Sequence, residues 1–196
     1  MKSQNTVKTM TIAALLSALG VLIPLVAPKY VLPPASYTLA SHVPIFIAMF
    51  ISVPVAIIVA VITGMGFLFA AYPVVIVLRA LTHVIFAAVG SYILSKTNKI
   101  LNNRISGFLY ALLISLIHAV AEVIIVTLFY LGGNVDVLYY DKGYLFSVVL
   151  LVGVGTLVHS MVDFSIALAV WKPIQNILPI PANAIVSKKR TSKLIQ

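Results

Sequence analysis

Six long apolar runs joined by short connections dominate this chain, and they permit few folds. The runs cover residues 9–27, 37–52, 54–72, 73–95, 105–131 and 144–171. A helix needs roughly 20 apolar residues to cross a bilayer core of about 30 Å, and in lipid a spanning backbone must satisfy its own hydrogen bonds. We therefore predict an all-α membrane protein with six transmembrane helices, forming a single domain over residues 1–196.

Composition excludes a soluble domain. Of the 196 residues, 62% are hydrophobic and 9% are charged, whereas a soluble domain carries about 25% charged residues. The net charge of +9 does not predict a nucleic-acid partner, because most basic residues lie near the ends of the runs or in the C-terminal tail. The chain has no cysteine, which excludes disulfides and thiolate chemistry. We expect a multi-pass protein of the cell membrane, surrounded by lipid.

Basic residues predict the orientation. They cluster before the first run, between the fourth and fifth, and after the sixth, at Lys2, Lys8, Lys96, Lys99, Arg104, Lys172, Lys188, Lys189, Arg190 and Lys193. Six spans place all three clusters on one side, and place the connection 132–143, with Asp136 and Asp141, on the other. Lys and Arg are enriched in cytoplasmic loops, so both termini are expected in the cytoplasm.

The connection between the first two runs is rich in proline. The pair Pro33-Pro34 prevents a regular helix there. Two interpretations remain open, a stiff surface loop or a loop that folds over a site facing outside. The second run is short and begins with polar residues and Pro44, so its outer end is expected to be tilted or irregular.

Three pairs of ionisable residues interrupt the last three runs at a spacing of four. The pairs are Arg79 with His83, His118 with Glu122, and His159 with Asp163. Residues four apart share one face of a helix, and charges at membrane depth normally point into the bundle or a polar cavity. The spacing therefore predicts a polar site shared by three helices.

The pattern leaves the roles of these side chains open. Arg79 has a planar fork of donors that suits a carboxylate or a phosphate, but it is equally suited to a salt bridge with Glu122 or Asp163. Glu122 either lines the site or pairs with a cation. Asp163 lies deeper and is interpreted as a structural or coupling residue, and a proton relay along the histidines also remains open.

Histidines and carboxylates also serve in proteins as metal ligands and as catalytic residues. Three histidines and two carboxylates are a plausible ligand set, but the charge of Arg79, four residues from a ligand histidine, disfavours a cation. We therefore expect no metal. The sequence has no HExxH or GxSxG motif and no phosphate-binding loop, so we expect neither an enzyme nor a bound cofactor.

The first run carries a pair of small residues, Ala14 and Ala18, spaced for close helix contact. The contact is either internal or with another protein. The stretch Thr9–Gly20 that contains them, with a basic residue just before it, resembles the first helix of the substrate-binding S components of energy-coupling factor (ECF) vitamin transporters. The small size, the six spans, the cytoplasmic termini and the alanine pair all match that family.

The resemblance implies a vitamin-binding subunit that has no ATPase of its own. Its partners would be a transmembrane coupling subunit, docked on the face of Ala14 and Ala18, and two ATP-binding subunits. The vitamin would bind near the outer side against the last three helices, and Pro33–Ser41 would form the lid. Two stretches, Leu39–Phe50 and Val74–His83, are similar to niacin-type S components.

Niacin, as nicotinate, is a small aromatic acid that needs a cationic clamp and a donor or stacking group for its ring nitrogen. Arg79 and a histidine match these needs. The expected substrate-binding residues are Arg79, His83, His118, Glu122, His159, His42 and Tyr37. The alternatives are an S component for another vitamin or small anionic metabolite, a stand-alone proton-coupled carrier, and a structural membrane protein. The absence of internal repeats disfavours the carrier.

Overall fold

The computed structural model describes residues 2–32, 35–178 and 180–186 of the chain, without the side chains of residues 2 and 3. Its elements are α1 (Lys2–Val26), β1 (Lys29–Leu32), β2 (Ala35–Thr38), α2 (Val43–Ile51), α3 (Val53–Phe69), α4 (Val74–Lys96), α5 (Arg104–Leu131), α6 (Val137–Asp141), a π-helix (Leu145–Val154) and α7 (Gly155–Ile174). In these residues four helices are long and apolar enough to cross a membrane: α1, α4, α5 and the continuous helix Leu145–Ile174. The class of helical membrane protein is therefore correct.

The predicted second span, residues 37–52, is helical only from Val43 to Ile51, and its irregular start agrees with the expectation from its polar residues and Pro44. Residues 35–38 form a strand, and helix α2 has only nine residues, all of them buried. At 1.5 Å per residue, α2 is about 14 Å long, so it does not cross a bilayer core by itself. Pro44 stands in the first turn of α2, where proline favours a helix start, and Ala40 before it has a positive φ of 65°. The chain therefore turns ahead of α2 instead of extending the helix toward the hairpin.

The connection between α1 and α2 is a hairpin. Strands β1 and β2 pair antiparallel, from Lys29 opposite Thr38 to Leu32 opposite Ala35. The sequence predicted an irregular connection here and missed the strand pairing. The first two residues of the expected lid, Pro33 and Pro34, lie outside the described residues.

Close contacts fix the positions of the outer helices. Helix α3 packs against α1 and α4, α4 against α5, and α5 against the π-helix and α7. Glycine permits the contact of α1 with α3, because a Cβ atom on Gly20 would collide with Thr63, and one on Gly66 would collide with Val21. Small residues allow this close approach in lipid. The short helix α2 fills the space between α1, α3, α4 and α7.

An aromatic core closes the end of the bundle away from the hairpin. It contains Phe46, Phe50, Phe86, Phe164 and Trp171, all of which are buried. The final described segment, residues 180–186, seals this core.

Backbone hydrogen bonds attach the segment 180–186 to two other elements at this end. Asn183 and Ala184 donate to the last residues of α2, at 3.0 and 2.9 Å, and Ile185 donates to Asn98 in the α4–α5 connection. The indole of Trp171 donates to the carbonyl oxygen of Ala184 at 3.1 Å. The basic α4–α5 connection therefore lies at the same end as the C-terminus of α7. Lys188, Lys189, Arg190 and Lys193 lie outside the described residues.

Candidate substrate-binding site

A cavity of about 450 Å³ lies beneath the hairpin. Its walls come from the hairpin, the start of α2, α3, α4, α5, α7, and α6 with the loop that precedes it. Six of the seven expected substrate-binding residues line it: Tyr37, His42, Arg79, His83, Glu122 and His159. The seventh, His118, lies beneath the floor and is 1% exposed. The structure thus brings the three sequence pairs together at one cavity.

Arg79 pairs with Glu122 across the contact between α4 and α5. Its Nη2 donates to Glu122 Oε2 at 2.7 Å, and their side chains are 18% and 5% exposed. The hydroxyl of Thr156 donates to the same carboxylate oxygen at 2.7 Å. Arg79 therefore makes one of the two salt bridges left open by the sequence, with Glu122 and not Asp163.

The same guanidinium has an N–H group that the salt bridge does not use. The buried Nε of Arg79 has no hydrogen-bond partner among the described residues, and Arg79 lines the cavity. An arginine offers five N–H donors in a fixed plane. Pairing with Glu122 and binding an anion are thus compatible for one side chain.

Asp163 holds the turn between the hairpin and α2. Its carboxylate accepts the backbone N–H groups of Ala40 at 2.8 Å and His42 at 2.9 Å. It also lies 3.0 Å from Nδ1 of His42. The positive φ of Ala40 costs about 1–3 kcal/mol for a residue other than glycine, and these charge-assisted hydrogen bonds offset that cost. Asp163 acts in this structure through the turn that it positions.

All four histidines of the chain meet at the floor of the cavity. The ring centroids of His42, His83 and His118 are 4.7–4.8 Å apart, and that of His159 is 5.0 Å from His42. Three of these histidines, His83, His118 and His159, belong to the pairs spaced by four in the sequence. His42 joins them because α2 begins inside the bundle, which the sequence did not show.

Tyr37 fastens the hairpin to the last long helix. Its hydroxyl donates to the carbonyl oxygen of Leu151 in the π-helix, and its ring lies 5.4 Å from that of His159. A Cβ atom on Gly155 would collide with this hydroxyl, so the glycine allows Tyr37 to enter. Burial raises the pKa of Tyr37 to about 12, which keeps the hydroxyl protonated and able to donate.

Sequence reasoning missed several polar residues that line the cavity, among them Lys29, Tyr139 and Thr156. Thr156 shares a helix face with Ser160 and Asp163, so the spacing of three and four along α7 contained a signal for it. Lys29 and Tyr139 gave no signal, because the hairpin and the 132–143 connection place them. Burial raises the pKa of Tyr139, so it too stays protonated.

The alanine pair of α1 faces away from the bundle. Ala14 and Ala18 are exposed, whereas Ala13, Ser17 and Gly20 on the other face are buried. Internal packing of α1 therefore uses the second face and leaves the alanine pair uncovered by the described part of this chain.

Comparison with known proteins identifies the family. No protein-family model and no solved structure matches the chain significantly. The niacin transporter NiaX of Lactococcus lactis subsp. cremoris is 36% identical over 189 residues, which cover 94% of this chain and 84% of that protein. A match of this extent bears out the resemblance to niacin-type S components, and the chain belongs to the family of the niacin transporter NiaX.

Proposed function

We propose that this protein is the S component of an ECF-type transporter and captures niacin, in the form of nicotinate, at the outer side of the cell membrane. The observation that carries the proposal is the match to a niacin transporter over 94% of the chain. The cavity supports it, because it combines a cation that has spare donors with aromatic walls. Pockets for small ligands have this mostly apolar lining with a few placed polar groups.

The cavity suits an aromatic acid in one orientation. The carboxylate would accept hydrogen bonds from the free donors of Arg79, with the charge of Lys29 nearby at the hairpin. The pyridine ring would lie between Tyr37, Tyr139 and His159, which all line the cavity. The protonated hydroxyl of Tyr139 would serve as the donor to the ring nitrogen, because the hydroxyl of Tyr37 already donates to Leu151. This arrangement favours nicotinate over nicotinamide, which lacks the negative charge.

Titration of the purified protein with B vitamins tests the substrate. We expect nicotinate to bind most tightly and nicotinamide more weakly. Tight binding of a different vitamin, with no response to nicotinate, would contradict the assignment. The ECF context is tested separately, because the protein should copurify with a coupling subunit and two ATP-binding subunits.

We further propose six membrane segments with both termini in the cytoplasm. The second is α2, which is too short to cross the core alone and begins at the cavity beneath the hairpin, and the third is α3. The cavity would then face outside and the aromatic core the cytoplasm. The positions of Lys96, Lys99 and Lys172 near the aromatic end support this orientation.

Single cysteines in this cysteine-free chain test the topology. Asn134 borders the cavity, and Thr97 ends α4 at the basic connection; both are exposed. We expect Asn134→Cys, but not Thr97→Cys, to react with an impermeant thiol reagent in intact cells. The reverse labelling pattern would show the opposite orientation.

We also propose that the exposed face of Ala14 and Ala18 docks the coupling subunit. Both alanines leave α1 smooth at a position that no described residue of this chain covers. A smooth helix face permits close approach of a second helix in lipid.

A further inference from the structure

We propose that His42, His83 and His118 form a binding site for a divalent transition-metal ion of the Zn²⁺ class at the floor of the cavity. One ring nitrogen from each of the three side chains lies within 4.8 Å of the others. The rings meet edge to face, with interplanar angles of 70–85°. Three neutral imidazoles are an established ligand set for zinc.

Hydrogen bonding orients the three imidazoles. Each has one nitrogen near a neighbouring oxygen: His42 Nδ1 with Asp163 at 3.0 Å, His83 Nε2 with Glu122 at 3.5 Å and His118 Nδ1 with Ser160 at 3.2 Å. A metal-binding histidine typically uses its second nitrogen in this way, which fixes the ring and its tautomer. The arrangement therefore leaves the opposite nitrogen of each ring for a metal.

Two of these opposite nitrogens are buried without a hydrogen bond. They are Nδ1 of His83 and Nε2 of His118, and neither makes a hydrogen bond to a described residue. Glu122 Oε1 lies 3.4 Å from His118 Nε2 but does not make a hydrogen bond with it. His83 is 5% exposed and His118 is 1% exposed. A buried polar atom without a partner costs about 1–3 kcal/mol, and coordination would satisfy both atoms.

Charge no longer opposes a metal. The sequence argument against one rested on Arg79, but its guanidinium is paired with Glu122 at 2.7 Å. A second carboxylate, Asp163, lies behind His42. Arg79 with these two carboxylates has a net charge of −1, which favours a divalent cation.

The site would also keep an open coordination position. His42 and His83 line the cavity, whereas His118 lies beneath it. Zinc sites with three protein ligands retain a fourth position for water or a substrate. A metal here would present that position, with a net positive charge, to an anionic ligand in the cavity.

Cobalt spectroscopy on the purified chain tests the proposal. The chain has no cysteine and only four histidines, so with a tag free of histidine the only imidazoles present are those at the cavity. We expect one Co²⁺ per chain with visible bands of a four-coordinate nitrogen and oxygen site, displaced by Zn²⁺. His83→Gln and His118→Gln should each weaken binding at least about 100-fold. Lys142→Ala, at an exposed residue that does not line the cavity, is the control and should bind the metal as wild type does.

A gentler variant and a folding measurement keep the test decisive. Ser160→Ala removes only the partner of His118 Nδ1 and should weaken binding about 10- to 100-fold, the range for an outer-shell partner. Zn²⁺ should raise the melting temperature of the wild type but not that of a folded His118→Gln protein. Absence of micromolar metal binding in wild type would overturn the proposal. So would wild-type metal affinity in folded His83→Gln and His118→Gln, or an equal loss of affinity in Lys142→Ala.

Discussion

A double-mutant cycle on Arg79 and Glu122 separates the salt bridge that Arg79 makes with Glu122 from the carboxylate clamp that we propose for it. Arg79→Ala leaves the carboxylate of Glu122 buried without its cation, and breaking a buried pair in this way costs about 3–5 kcal/mol of stability. Glu122 is 5% exposed, so solvent does little to compensate. Arg79→Ala combined with Glu122→Gln removes both charges and should recover a large part of that loss. Thermal unfolding in detergent measures both changes.

In this cycle, the affinity for nicotinate should not recover when the stability recovers. The double variant still lacks the clamp, so its affinity for nicotinate should fall by about 2–5 kcal/mol, as for loss of a buried charge partner. That range corresponds to roughly 30-fold to 4,000-fold in Kd. Arg79→Lys should also bind more weakly, because lysine cannot hold Glu122 and donate two parallel hydrogen bonds to a carboxylate.

The assay is calorimetric titration of each variant with nicotinate and with nicotinamide. Wild type should prefer the acid, and the folded double variant should lose that preference. Lys142→Ala is a matched control, since it removes an exposed charge that does not line the cavity. A stable double variant that retains the wild-type preference would refute the clamp and leave Arg79 as a partner of Glu122 alone.

Three further substitutions test other parts of the structure. Gly155→Ala should displace Tyr37 and accelerate nicotinate release. Gly107→Ala, whose Cβ would come no closer than 3.7 Å to another atom, should leave the release rate unchanged. Equal release rates in the two variants would exclude a role of the Tyr37–Gly155 contact in closing the site. Ala18→Trp should block uptake by whole cells but spare nicotinate binding by the purified subunit. Val120→Trp, on the exposed face of α5, should leave both uptake and binding unchanged. Loss of binding in Ala18→Trp would instead indicate an internal contact. Asp163→Ala should lower stability by about 2–6 kcal/mol, because two backbone N–H groups lose their acceptor at about 1–3 kcal/mol each, and unchanged thermal unfolding would show that the turn does not depend on it.

Local sequence determined the class and the positions of the long helices. Hydropathy and helical periodicity act over neighbouring residues, so the predicted bounds of the fourth and fifth runs, 73–95 and 105–131, agree closely with Val74–Lys96 and Arg104–Leu131. The same periodicity placed each ionisable pair on one face. The tendency of charges to leave lipid then predicted that these faces meet.

Tertiary structure decided what the side chains meet. Spacing along one helix does not encode how that helix is rotated or what it packs against. Only the packed structure shows that Arg79 contacts Glu122 and not Asp163, and that Ala14 lies on the exposed face of α1. His42 reaches the other histidines because the turn at Ala40, held by Asp163 from more than 100 residues away, starts α2 inside the bundle. A sequence pattern records one helix at a time, so contacts that need several helices to pack at once appear only in the folded chain.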